Sequence, residues 1–260
     1  MRIEALFPEL CNLFGDAMNV EYLHRCLPEA EFIKTSMKER PKFLDGDVDL
    51  VYMGSMTESG QELAAGLLMP HRERILELID SGKVFLVTGN ALDIFGTRIE
   101  NEDGSFFEGL GLFKLFSKRQ MMKRYSSIYL GTFGDMDIVG FKSQFAHNYE
   151  DGGEGARSGG IGVGGDAGGI GGGTSAVPML FNTLRGAGRK PGVTEEGVRL
   201  NNFFATNMLG PLLLINPPFT RYLLGLLGVS ERELPYEKEA MIAYNARVAE
   251  FKDPNTGAEY

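Results

Sequence analysis

The first hundred residues alternate short apolar runs with stretches of helical periodicity. Residues 1–7 read as a strand. Residues 11–26 carry Leu13, Phe14, Val20, Leu23 and Leu27 at the spacing of one helix face, and residues 31–33 suggest a second strand. Val48-Asp49-Leu50-Val51-Tyr52-Met53 is a buried strand running into Gly54. Helical spacing returns over residues 61–80 through Leu63, Leu67, Leu68, Ile75, Leu76 and Ile79. Pro70 is placed to kink or restart that helix, and Ser81-Gly82 to end it. Val84-Phe85-Leu86-Val87 is the clearest strand; Thr88-Gly89-Asn90 follows as a tight turn, and residues 91–95 open a helix. This grammar predicts an α/β fold with a mostly parallel sheet flanked by helices. In such sheets the chemistry gathers at the carboxyl ends of strands, here Gly54-Ser55-Met56-Thr57 and Thr88-Gly89-Asn90. The later half is richer in strands, at residues 125–130, 136–141 and 203–205. It closes on a helix over 234–251 and a frayed tail over 252–260.

Composition narrows the function. Lys+Arg number 26 against 35 Asp+Glu, a formal net charge of −9, which argues against a nucleic-acid-binding module. Cys11 and Cys26 are too few for a disulfide framework or a cysteine zinc cluster. His24, His71 and His147 lack metal-ligand spacing, so no metal or cofactor is expected. The amino terminus meets an acid at Glu4, where a signal peptide needs an uninterrupted apolar stretch. The most apolar segment, residues 208–229, is broken by Pro211, Asn216, Pro217, Pro218 and Arg221. It reads as a buried loop and short helix rather than a membrane span. A cytoplasmic protein is the expectation. Met121-Met122 and Met208-Leu209 read as packing residues.

Residues 151–174 are a different material. Thirteen of the 22 residues 152–173 are glycine, too few side chains to offset the entropy of ordering them. A phosphate-binding loop would need a lysine opening a helix, and none is present; Gly162-Val163-Gly164-Gly165-Asp166 only grazes a dinucleotide fingerprint. The segment reads as a flexible insertion within a single domain spanning residues 1–260.

Five stretches, in order, carry a resemblance to a known family. The first is Leu6-Phe7-Pro8-Glu9-Leu10-Cys11-Asn12-Leu13-Phe14-Gly15-Asp16, with Asn19 after it. Asp49-Leu50-Val51-Tyr52-Met53-Gly54, Glu108-Gly109-Leu110-Gly111-Leu112 and Ile138-Val139-Gly140-Phe141 follow. The last is Gly210-Pro211-Leu212-Leu213 with Asn216-Pro217. Over residues 3–228 the chain resembles the cobyric-acid-synthase-like subgroup of class I glutamine amidotransferases. That subgroup includes the glutaminase subunit of lipid II isoglutaminyl synthase, which pairs with a Mur-ligase-like subunit. The resemblance implies a flavodoxin-like class I amidotransferase fold. It also implies glutamine hydrolysis by a cysteine on a strand-to-helix elbow, with a histidine base and an oxyanion hole of backbone N–H groups.

Two positions depart from that pattern. Counting back from Ile94-Phe95-Gly96, the family's Cys-Gly-Gly-Tyr-Gln elbow reads Gly89-Asn90-Ala91-Leu92-Asp93, so Gly89 stands where the nucleophile belongs. Leu209 stands where the histidine precedes Gly210-Pro211. A one-residue shift offers Thr88, without a base. Cys11 and Cys26 are expected in the first helix, and His147 falls where the family places no base. Losing both members of a nucleophile–base pair adds little to losing one. The implied function is therefore a glutamine amidotransferase-like subunit with a degenerate catalytic pair, a non-catalytic or regulatory partner of a Mur-ligase-like synthetase in cell-wall precursor amidation. The alternatives are an active amidotransferase passing ammonia to a ligase, of lipid II isoglutaminyl synthase or cobyric acid synthase type, and a domain binding glutamine or another small molecule. For such a pocket Ser55, Met56 and Asn90 are expected to supply a backbone anion nest. Arg124 falls near a substrate-contacting arginine of the subgroup, against the plainer reading of a solvated charge in the run Lys118-Arg119, Lys123-Arg124. Asp93 is expected to favour the dipole of the elbow helix.

Overall fold

The computed structural model describes residues 1–152 and 177–257. Almost all of the glycine-rich insertion, including the fingerprint-like Gly162-Val163-Gly164-Gly165-Asp166, lies outside the described residues, as does the end of the tail.

Strands β1 (Arg2–Leu6), β2 (Glu31–Thr35), β3 (Leu50–Met53) and β4 (Val84–Thr88) alternate with helices α1 (Ala17–Cys26), α2 (Glu58–Leu68) and α3 (Arg72–Asp80). A short helix α4 (Ala91–Phe95) follows β4. Then come β5 (Arg98–Glu100), β6 (Phe106–Glu108), β7 (Leu115–Arg119), β8 (Tyr125–Phe133), β9 (Met136–Gln144), β10 (Ala146–Glu150), β11 (Phe181–Arg185) and β12 (Glu195–Glu196). The chain then returns to the first sheet with β13 (Val198–Leu200) and β14 (Phe203–Thr206), and ends in helices α5 (Leu212–Ile215), α6 (Pro217–Leu226) and α7 (Glu237–Lys252).

The central sheet has the order β13-β14-β4-β3-β1-β2. Its pairings are parallel except at the edge, where β13 runs antiparallel to β14. Two further four-stranded sheets, β10-β7-β5-β6 and β12-β11-β8-β9, are antiparallel apart from the short β5–β7 pairing. Among the described residues, the parallel character expected of the whole is thus confined mainly to one sheet of three.

Both faces of the central sheet are covered, which is why its strands read as continuous apolar runs. Val51, Met53, Phe85, Val87, Phe203 and Ala205 face one core with Ala64, Ala65 and Leu68 of α2, Ile75 and Ile79 of α3, and Leu92 and Phe95 of α4. Their sequence neighbours Leu50, Tyr52, Val84, Leu86 and Phe204 face a second core. There they meet Leu23 of α1, Phe219 and Leu223 of α6, and Tyr129, Phe133 and Phe181 of the antiparallel strands. The alternation follows from the two-residue period of a strand.

The first helix begins later than its apolar stripe suggests, because Phe14 and Gly15 both have positive φ, 56° and 77°, outside the right-handed helical region. Cys11 therefore lies in the turn before α1, and only Cys26 is helical. Pro70 divides α2 from α3 through one tight turn, as expected. The C-terminal helix starts at Glu237, after Pro235 and the left-handed Tyr236. Residues 208–229 form buried loop, α5 and α6, and among the described residues no helix is long and apolar enough to cross a membrane. Met122 is 89% exposed, so the Met121-Met122 pair sits on a surface turn and not in a core.

Candidate functional site

Parallel pairing brings three turns together at the carboxyl ends of β3, β4 and β14. Met53 is in register with Val87, and Thr88 with Thr206. The turns that follow are Gly54-Ser55-Met56, Gly89-Asn90 and Asn207-Met208-Leu209. Gly89 has φ +62°, a conformation glycine adopts without a Cβ penalty, and the chain passes directly from β4 into α4. Gly89 N–H donates to the Met208 carbonyl at 3.0 Å, locking the elbow to the neighbouring turn.

The two positions that the family pattern assigns to nucleophile and base are therefore adjacent. An ideal Cβ on Gly89 would lie 3.4 Å from Leu209 Cδ2. It would also lie 2.5 Å from Ser55 Cβ and 3.2 Å from Ser55 Cα, closer than carbon atoms approach without displacement. Ser55 cannot simply rotate away, since the overlap is with its Cβ and backbone. Its Oγ donates to the Leu13 carbonyl at 2.9 Å, and its own carbonyl accepts from Leu13 N–H at 3.2 Å.

Beneath this turn lies Asp16, fully buried at the entry to α1. Its Oδ2 accepts from Ser55 N–H at 2.7 Å and from Thr88 Oγ1 at 2.9 Å. Tyr52 hydroxyl lies 3.0 Å from Thr88 Oγ1 and donates to the Asp16 carbonyl at 2.9 Å. Burial pushes the Asp16 carboxyl above its usual range, against the opposing pull of the Ser55 and Thr88 hydrogen bonds. Gly210 packs directly on this residue: a Cβ there would lie 2.7 Å from Asp16 Cα. The absence of a side chain at Gly210 is thus a condition of the close approach between the first turn and the last.

Asn90 bridges to the Met56 backbone from both ends. Its Oδ1 accepts from Met56 N–H at 2.9 Å, and its Nδ2 donates to the Met56 carbonyl at 2.8 Å. The amides of Ser55 and Met56 are therefore both engaged by side chains of the chain itself. For the anion nest expected from Ser55, Met56 and Asn90, an anion reaching the Ser55 and Met56 amides would have to displace Asp16 or Asn90.

A cavity of about 110 Å³ opens next to these turns. Leu13, Phe14, Met56, Phe145 and Leu209 supply apolar wall; Gln61, Asn90, Asp93, Arg119, Gln144 and Asn207 supply polar wall. Asp93, expected at the helix end as a dipole partner, is instead a buried hub. Its Oδ1 accepts from Ser117 Oγ at 2.7 Å and Asn148 Nδ2 at 2.6 Å, and its Oδ2 from Gln61 Nε2 at 3.0 Å. Burial raises its pKa, while those hydrogen bonds and Arg119 pull it down. Arg119 donates to Gln61 Oε1 at 2.7 Å, Asn101 Oδ1 at 2.9 Å and the Glu58 carbonyl at 3.1 Å. The basic run is thus split by strand alternation: Lys118 points to solvent and Arg119 is 8% exposed.

From Asp93 the polar chain continues inward. Asn207 Nδ2 donates to Asn148 Oδ1 at 2.6 Å, and Asn207 N–H donates to Glu196 Oε1 at 2.8 Å. Glu196 forms a fully buried ion pair with Lys142 at 2.5 Å. Lys142 Nζ also donates to the Gly188 carbonyl at 2.6 Å and the Ala187 carbonyl at 3.2 Å, so the ammonium is fully partnered.

Arg124 is exposed, yet it stands at the rim of the cavity. Its Nε donates to Ser143 Oγ at 2.6 Å, and its guanidinium lies 5.9 Å from the Phe14 ring and 5.8 Å from the Phe145 ring, all three being cavity residues. Thr88 is fully buried on Asp16 and Tyr52 and does not line the cavity. Burial pushes the Cys11 thiol to about 12 and the Cys26 thiol to about 11, so neither is a thiolate at neutral pH. His147, in β10, is buried with its Nδ1 3.0 Å from Gln144 Nε2; burial and Lys142 lower its pKa.

No protein-family model matches the chain. The chain is 24% identical over 231 residues to the lipid II isoglutaminyl synthase (glutamine-hydrolyzing) subunit GatD of Staphylococcus aureus (strain N315). The match covers 87% of this chain and 83% of that protein. A crystal structure of a glutamine amidotransferase superposes with a TM-score of 0.50 at 13% identity, covering 87% of this chain and 99% of that one. The fold is that of a glutamine amidotransferase. A Thermotoga maritima glutamine amidotransferase gives a TM-score of 0.47 at 10% identity, covering 96% and 95% of the two chains.

The amidotransferase fold explains the gathering of the three turns. Sequence reasoning named Gly89, Leu209, Ser55, Met56 and Asn90 because they lie in or beside the motifs, and the structure places them on these turns. It missed Gln61, Arg119, Gln144, Asn148 and Asn207, which come from four separate elements and one loop and share no spacing. It also missed the part Ser55 plays, since a serine after a glycine carries no sign of what it packs against.

Proposed function

We propose that the chain is a non-catalytic amidotransferase-like subunit that serves a Mur-ligase-like synthetase in cell-wall precursor amidation. The relative of known activity is itself described as a subunit of a glutamine-hydrolysing synthase. The observation that carries the non-catalytic reading is the 2.5 Å separation between Ser55 Cβ and an ideal Cβ at Gly89. Glutaminase chemistry needs a thiolate on the elbow and a proton carrier beside it. Gly89 offers neither atom nor space, and Leu209 neither takes nor gives a proton. The loop amides that would hold an oxyanion are tied to Asp16 and Asn90.

The test is ammonia release from glutamine by the purified chain, alone and with a Mur-ligase-like protein of the same organism. No release in either condition is the expected result, together with co-purification of the two proteins. A Gly89→Cys/Leu209→His variant should remain silent, because the new side chain meets Ser55; adding Ser55→Gly opens the space. Wild-type turnover would overturn the reading in favour of an active amidotransferase with a nucleophile elsewhere.

A further inference from the structure

The two carboxyl oxygens of the fully buried Asp16 are unequal. Oδ2 accepts twice, from Ser55 N–H and from Thr88 Oγ1. Oδ1 is buried and completes no hydrogen bond. It faces the backbone of Gly210, where a Cβ would lie 2.5 Å from Oδ1 and 3.0 Å from Asp16 N. A buried oxygen without a partner is uncommon in folded proteins and calls for a donor. The donor within reach is Gly210 N–H. Among the described residues that N–H has no other acceptor. Its neighbours are anchored: Leu209 N–H donates to the Phe141 carbonyl at 3.0 Å, and Leu213 N–H to Asn19 Oδ1 at 3.0 Å. An unpaired donor and an unpaired acceptor thus face each other between two fixed points.

The protonation state of Asp16 decides whether they pair. An ionised carboxylate only accepts, and draws the N–H into a charge-assisted bond. In the protonated acid Oδ2 is already held by two donors, so the proton sits on Oδ1. An O–H there meets Gly210 N–H donor to donor. The side chains that touch Asp16 supply no positive charge to settle the choice: Thr88 from β4, Tyr52 from β3, Ser55 from the turn after it and Cys11 from the turn before α1. Of these, Cys11 and Tyr52 titrate. Burial pushes the Cys11 thiol to about 12 and the Tyr52 hydroxyl well above its ordinary range, so neither changes charge near neutral pH. Burial also moves the Asp16 carboxyl above its ordinary 3.8.

We propose that Asp16 is a proton-operated latch on the last turn: ionised, it holds Gly210 N–H on Oδ1, and protonated, it releases it. Asp16 does not itself line the cavity, but Leu209, next to Gly210, does. Protonation therefore loosens one wall of the cavity from outside it, through the turn that Leu209 shares with Gly210. The latch is a two-position element biased by one proton.

The experiment is an NMR titration of the full ¹⁵N-labelled chain from about pH 4 to pH 8, across the upper flank of the ordinary carboxylate range. Amide exchange is measured at each pH, with the intrinsic pH dependence divided out. The Gly210 amide proton is expected to move downfield as pH rises, with an apparent pKa above 3.8. Its protection should rise about ten-fold between the protonated and ionised limits, whereas Ser55 should change less than about two-fold, because Oδ2 accepts in both states. Asp16→Asn should leave both amides flat across the range. If Asp16→Asn fails to fold, the contrast between Gly210 and Ser55 in the wild type decides by itself. A Gly210 amide that does not titrate, that titrates equally in Asp16→Asn, or that gains protection on acidification would overturn the proposal. So would joint loss of protection at Gly210 and Ser55, which marks general loosening around a structural carboxyl.

Discussion

Ser55 occupies the space into which a side chain at Gly89 would project, with only 2.5 Å between its Cβ and an ideal Cβ on the glycine. The relationship is steric and reciprocal. A residue that lacks a side chain on the elbow allows a side chain on the facing loop, and the loop side chain then forbids one on the elbow.

Gly89→Ala should destabilise the protein by about 1–3 kcal/mol from the left-handed backbone alone, with the overlap added to it. In a Ser55→Gly background the 2.5 Å overlap with the side chain is removed, the 3.2 Å approach to the Cα remains, and the cost should fall by about 1 kcal/mol. Denaturant unfolding of the four proteins of this cycle measures the coupling. Equal costs in both backgrounds would show that Ser55 yields without penalty.

The Lys142–Glu196 pair, with both side chains fully buried, should tolerate loss of one partner poorly. Lys142→Met leaves Glu196 uncompensated and is expected to cost about 3–5 kcal/mol. Lys142→Met with Glu196→Gln should cost less than the sum of the single changes, because Gln carries no charge and keeps an acceptor for Thr206 and Asn207. Additive costs would mean that the attraction contributes nothing beyond each group alone.

His147 sets a pH dependence whose sign is fixed by burial. Its folded pKa lies below the ordinary 6.5, so between the two values the unfolded chain binds the extra proton. Stability from this group is fully present above 6.5 and is lost as pH falls through the folded value. A His147→Gln variant removes the term. The stability of wild type minus variant should therefore drop as the pH is lowered through this window, and a flat difference would refute the assignment.

Asn90 holds both polar atoms of Met56. Asn90→Ala leaves two part-buried groups to find water and should cost about 2 kcal/mol. Asn90→Asp keeps the acceptor for Met56 N–H and loses the donor, so its cost at neutral pH should come from the Met56 carbonyl. Hydrogen exchange at Met56 separates the two: fast in Asn90→Ala, protected in Asn90→Asp.

The central strands and the elbow helix were legible in the sequence because burial on both faces demands unbroken apolar runs, and Val84-Phe85-Leu86-Val87 meets that demand. The start of α1 was not, since Phe14 takes a left-handed backbone that its residue type does not announce. Arg119 and Lys118 are neighbours of the same charge, and only the strand they share sends one inward and the other out.

The sequence by itself determined that Gly89 carries no nucleophile and Leu209 no base, because side-chain chemistry is a property of each residue. It also determined the alternation of strand and helix, because periodicity is local. Tertiary structure decided that Ser55 fills the facing space, that Asp16 and Asn90 occupy the loop amides, and that Asp16 Oδ1 is left facing the Gly210 backbone. Those facts depend on contacts between β1, β3, β4 and β14 and the turns after them. Such contacts are fixed by sheet register and packing and leave no spacing in the chain to be read.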